Sequence, residues 1–153
     1  MFAAHLAKAE ALLQKPLWVV DRLPEQVPEG SHGQFFAIED YWYEPKENKK
    51  LSKQFFRILL ALNCYFKMEV ATESESETNP APKRLKRLIE WARDEGEKQT
   101  LWFFLEEADA MIVMNGDDLN LAVYNENEDL HRLLLRLSLA EGLFFWKTGE
   151  ETD

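Results

Sequence analysis

Leu101-Trp-Phe-Phe-Leu105, Met111-Ile-Val-Met-Asn-Gly116 and Leu119-Asn-Leu-Ala-Val-Tyr124 decide the fold. Each is too short for a packed helix, is rich in aromatic and β-branched side chains, and is bounded by polar residues, which reads as three strands. Asn115-Gly116 is the strongest hairpin signal in the chain, and short connections make sequential strands antiparallel neighbours. Beyond them, Asn125 with Glu128 three residues later reads as a helix start with Asn as cap. The helix, Leu130 to Leu139, stops near Gly142, and Leu143-Phe-Phe-Trp146 follows as a last strand or an apolar cap.

Upstream, residues 83–95 place Leu85, Leu88, Ile89 and Ala92 on one helical face. Residues 51–67 place Phe55, Leu59, Leu62 and Phe66 on another, and Phe56, Ile58 and Leu60 widen that face enough to mark a central helix. Residues 3–14 read as an amphipathic helix closed by Pro16, and Leu17 to Leu23 as a short strand. Pro24 to Gly33 reads as a loop, Gln34 to Tyr43 as an aromatic strand, and Glu44 to Asn48 as a turn. The sum is an α+β fold: a C-terminal three-stranded antiparallel meander joined by one or two N-terminal strands, with helices packed on one face. The opposite face would carry Trp102, Phe104 and Tyr124.

The 153 residues form one domain, long enough to bury a core without disulfides or metal. A single Cys64 excludes a disulfide scaffold. Its place inside the apolar 51–67 helix predicts a buried, unreactive thiol. Thr72 to Pro82 is acidic, polar and broken by proline, so it is expected to be mobile and the first site of proteolysis. No apolar run reaches the length of a membrane span, and the N-terminus lacks the basic and apolar regions of a signal peptide, which points to the cytoplasm.

The formal net charge is −10, and residues 101–153 supply −9 of it from 12 acids and three bases. Such a balance disfavours phosphate backbones and anionic lipid, so neither nucleic acid nor membrane is expected as partner. Lys83, Arg84, Lys86 and Arg87 crowd a helix N-terminus, where the macrodipole is positive; Glu73, Glu75 and Glu77 just upstream are the expected compensation. The alternative is that the basic turn binds an anion.

His5, His32 and His131 are scattered, Cys64 has no adjacent base, and the carboxylate doublets alternate in direction along strands. No cofactor, metal or catalytic residue is therefore assigned. The first functional expectation is a non-catalytic inhibitor or immunity-type protein whose acidic surface covers the basic cleft of a toxin or nuclease. Asp117, Asp118, Glu126, Glu128 and Asp129 would make the contact, with Tyr124 and Trp102 as aromatic anchors. The second is a secretion-type chaperone that homodimerises through the aromatic sheet face and binds an unfolded partner. A carboxylate-using hydrolase ranks third.

Overall fold

In the computed structural model, which describes residues 3–15 and 17–148, the apolar runs assemble into one seven-stranded antiparallel sheet. The elements in chain order are α1 (Ala3–Leu12), β1 (Leu17–Asp21), α2 (His32–Trp42), α3 (Pro45–Leu62), β2 (Met68–Ala71) and β3 (Ser76–Thr78). They continue with α4 (Pro82–Ala92), β4 (Thr100–Leu105), β5 (Ala110–Asn115), β6 (Leu121–Tyr124), α5 (Glu128–Ala140) and β7 (Phe144–Lys147). The strand order is β3-β2-β4-β5-β6-β1-β7. The α+β class and the β4–β5–β6 meander are those the sequence predicts; the sheet is larger because β2, β3, β1 and β7 extend the meander on both sides.

Register separates the two faces. Leu101, Phe103 and Leu105 of β4 lie opposite Met114, Ile112 and Ala110 of β5, and all are buried. This face meets Phe55, Ile58, Leu59 and Leu62 of α3, Leu85, Leu88, Ile89 and Ala92 of α4, and Leu130 and Leu134 of α5 in the principal core. Each fully buried large side chain of that set contributes about 1.5–3 kcal/mol by leaving water. Alternation sends Trp102, Phe104 and Tyr124 to the other face, as expected. There α1 covers part of the sheet: Ala9 and Leu12 form a second, smaller core with Ala71, Phe104, Met111 and Val113. His5 reinforces the contact, stacking on Phe104 at 5.7 Å and placing Nε2 2.8 Å from a Glu69 carboxylate oxygen. Pro16, expected to close α1, lies outside the described residues.

Several local expectations are corrected. Residues 34–43 are not a strand but most of α2, and Pro45 does not turn the chain but opens α3 as its first residue, where a missing N–H costs nothing. Phe35, Ile38 and Trp42 in fact follow helical spacing; aromatic composition suggested a strand because α2 has no buried face to sharpen its pattern. The α5 cap is Asn127, whose Oδ1 accepts the Leu130 N–H at 2.8 Å, while Asn125 takes a left-handed backbone at φ 61° two residues earlier. Gly142, at φ 78°, ends α5, and the Leu143 N–H closes on the Ser138 carbonyl at 2.8 Å.

Within the acidic 72–82 stretch, residues 76–78 form edge strand β3, and Arg84 pairs with both Glu75 and Glu77. The compensation expected for the basic turn is present at that one arginine. Cys64 is also corrected. α3 ends at Leu62, Asn63 donates through Nδ2 to the Phe66 carbonyl at 3.1 Å, and this turn buries Phe66 while leaving Cys64 exposed. The thiol is therefore expected to react with an aromatic disulfide reagent at close to the rate of free cysteine. A rate slower by two orders of magnitude or more would contradict the placement.

Candidate functional site

Sheet register divides the acidic residues of the last third between two ends of the sheet. Leu105 pairs with Ala110 and Met111 with Tyr124, so the β4–β5 turn and the β6–α5 loop leave the same end. The Asn125 amide locks them together by donating to the Asp109 carbonyl at 2.8 Å. Glu106, Glu107 and Asp109 from the first turn, and Glu128 and Asp129 from the first turn of α5, are all exposed there. The helix dipole favours the last two. Nearby cations are few: the Lys67 ammonium lies 3.5 Å from Glu106, and Arg132 lies 3.0 Å from Asp129.

Of the residues expected to bind a partner, Glu128 and Asp129 fit this end as exposed carboxylates, Asp129 paired with Arg132. Glu126 is half-buried and paired with His131 Nδ1 at 3.3 Å. Burial raises its carboxyl above the ordinary range against the opposing pull of His131. Tyr124 and Trp102 are half-buried at the border of the small core under α1, and burial raises the Tyr124 hydroxyl.

Asp117 and Asp118 lie at the opposite end. Asn115-Gly116 does not make a two-residue hairpin; the connection runs through residues 116–120, buries Leu119, and folds back against the helices. The Tyr43 hydroxyl donates to the Asp117 carbonyl, Arg93 Nη1 to the Asp118 carbonyl at 2.8 Å, and Asn115 Nδ2 to the Asp118 carboxylate at 3.0 Å. Asp117 remains exposed, but Asp118 is part of a braced loop.

That loop, the N-terminal half of α3 and the C-terminal end of α4 enclose a cleft of about 940 Å³. Arg93, the residue after α4, lines it although the residue is only 3% exposed. Its Nε donates to Ser52 Oγ at 3.0 Å, its Nη2 to Asn48 Oδ1, and its guanidinium carbon stands 5.2 Å from the centre of the Phe55 ring. Burial pulls the guanidinium down to about 10, with Arg22 acting in the same direction, against the weaker pull of Tyr43, Asp118 and Asp117. Lys49, Lys53, Lys86 and Lys98 also line the cleft, as do Glu90, Asp94, Glu95 and Asp117.

The sequence reading did not single out Arg93, Asn48, Ser52 or these α3 lysines. One signal was present: Leu85 and Ile89 continue at helical spacing to Arg93, so the apolar stripe of α4 ends on a cation aimed at the same side.

A second cleft of about 450 Å³ is lined by Asp21, Glu39, Phe35, Phe36, Trp42 and Trp146, among others. Burial raises the Asp21 carboxyl, opposed by hydrogen bonds from the Arg22 and Leu23 N–H groups. A carboxyl raised in the folded state binds more protons folded than unfolded. Stability from Asp21 and Glu126 is thus present at low pH and lost as pH rises through their folded titration range. Asp21→Asn with Glu126→Gln is expected to flatten the decline in denaturation midpoint between about pH 4 and pH 7, measured by urea titration. An unchanged slope would contradict the burial of these groups.

Among the described residues no cluster of three or more His, Cys, Asp or Glu could hold a metal ion. No helix there is long and apolar enough to cross a membrane. Comparison with known protein families, curated proteins and solved structures finds no match to this chain.

Proposed function

We propose that the protein is a binding module of the inhibitor or immunity type, presenting its acidic sheet end to the basic surface of a folded partner such as a toxin or nuclease. One observation supports this reading above the rest: five exposed carboxylates from two separate turns, on either side of β5 and β6, stand at one end of the sheet, opposed by two paired cations. A surface of one sign speeds encounter with the opposite sign and rejects like-charged competitors. The contact set is accordingly Glu106, Glu107, Asp109, Glu128 and Asp129, with Glu126 supporting the loop. Asp117 and Asp118 are left out because they brace the cleft.

The test compares capture from native cell extract by the wild type, by Glu107→Lys/Asp129→Lys, and by Asp117→Lys. A basic protein retained by the wild type and by Asp117→Lys but lost by the double variant supports the reading. Equal retention by all three would overturn it.

The second reading is a homodimeric secretion-type chaperone, and α2 favours it. Phe36, Ile38 and Tyr41 are each about half exposed on a helix with no buried residue among those described. On the sheet, α1 already buries Phe104 and Met111. A dimer in sedimentation equilibrium, dissociated by Phe36→Glu/Ile38→Glu, would favour this reading over the first.

A further inference from the structure

We propose that the cleft between α3, α4 and the β5–β6 connection binds a small molecule carrying a phosphate group, received by Arg93 at its buried pole and by Lys49 and Lys53 above it. Arg93 carries five N–H groups, and its protein partners engage three: Ser52 Oγ, the Asp118 carbonyl and Asn48 Oδ1. One N–H on each terminal nitrogen is left over. All three partners are neutral, and none of the ion pairs within 4.0 Å among the described residues includes Arg93. A buried guanidinium is ordinarily matched by an anion, because leaving its charge uncompensated in a poorly solvated site is costly. Here Asp117 and Asp118 act on the guanidinium only from beyond ion-pair distance, and Arg93 lines open volume large enough for a ligand.

The lysines of the cleft agree with the sign of that ligand. Lys49 and Lys53 stand one helical turn apart on α3, line the cleft, and have no ion pair among the described residues although Asp117 and Glu90 share its walls. Planar guanidinium and mobile ammonium together suit a tetrahedral oxyanion of multiple charge, the first fixing two oxygens and the second neutralising the rest. Glu90, Asp94, Glu95 and Asp117, all exposed, would accept hydrogen bonds from hydroxyl groups on the ligand's body. Phe56 and Ile89 supply its apolar wall.

The probes are inorganic pyrophosphate and, for the alternative anion chemistry, succinate, titrated at constant ionic strength and followed by amide chemical shifts. Pyrophosphate is expected to shift resonances of residues 46–53, 93 and 116–118 saturably. Lys49→Gln/Lys53→Gln, at exposed positions that leave the fold intact, is expected to weaken binding by about 10-fold, and Arg93→Lys by more. If Arg93→Lys fails to fold, the lysine double variant alone decides the matter. Absence of saturable shifts in the cleft, equal affinity in the lysine variant, or tighter binding of succinate than of pyrophosphate would each overturn the proposal.

Discussion

Gly116→Ala is expected to destabilise the protein by at least ~3 kcal/mol, seen as a large fall in the urea midpoint with little change in slope. A Cβ at this position would stand 2.0 Å from the Ala92 carbonyl oxygen and 2.8 Å from both the nitrogen and the oxygen of Gln99. All three are backbone atoms, so no side-chain rotation relieves the clash. They are also held to one another: the Gln99 N–H donates to the Ala92 carbonyl at 2.9 Å and the Gly116 N–H to the Gln99 carbonyl at 2.8 Å. The glycine is required by close approach, not by backbone conformation, since it is absent from the positive-φ positions. Gly33→Ala is the control. Open space surrounds its would-be Cβ within α2, so helix propensity should raise stability there by about 0.4–1 kcal/mol. A neutral Gly116→Ala would mean that the end of α4 and the start of the β5–β6 connection are not in contact.

Phe104→Ala is expected to cost about 3–5 kcal/mol, the range for emptying a fully buried aromatic site. Its effect should also be local. Phe104 is wholly buried between β4 and α1, stacked by His5 and approached by the Lys8 ammonium at 5.4 Å from the ring centre. Among the described residues, Ala9 and Leu12 are the buried ones that α1 contributes to the second core, so most of that docking surface is lost with the ring. Amide hydrogens of residues 3–12 should then exchange at rates set by local opening, while β4 and β5, packed on their other face against α3 and α4, stay protected to the global limit. Unchanged protection of α1 in the variant would show that the helix is held by something other than this face.

These two sites mark what the sequence discloses and what it conceals. α3, α4 and α5 are legible because each has one buried face, so the apolar period is sharp: Leu85, Leu88, Ile89 and Ala92 can only be a helical stripe; β4 and β5, buried on both faces, are legible instead as short continuous apolar runs. α2 is misread because Phe36, Ile38 and Tyr41 are exposed and nothing imposes a period on them. Asn115-Gly116 is read for the wrong reason. The pair does lie between two antiparallel strands, but its glycine is selected by the backbone of Ala92 and Gln99, a tertiary contact invisible to local spacing. Cys64 follows an apolar pattern that continues to Phe66 through a turn, so periodicity alone overruns the helix end.

The acidic third is legible as composition but not as geometry. Counting charges assigns Asp117 and Glu128 to one surface; register sends them to opposite ends of β6. Glu106, Glu107 and Asp109 join the carboxylates at the start of α5 because the Asn125 amide ties their turn to that loop. The cleft is less legible still, since Asn48, Ser52, Arg93 and Asp118 come from three separated segments and meet through one guanidinium.

The most direct test of the acidic end as a recognition surface is the association rate with the captured partner, measured by stopped flow from low to physiological salt. For wild type the rate should fall steeply as salt screens the encounter, by an order of magnitude or more between about 0.01 and 0.15 M. For Glu107→Lys/Asp129→Lys the low-salt rate should drop toward the unsteered range and its salt dependence should flatten, while the unfolding free energy from urea titration changes by less than ~1 kcal/mol because exposed carboxylates carry little stability. A wild-type rate indifferent to salt and matched by the variant would contradict the reading and leave the exposed aromatic face of α2 as the surface to examine.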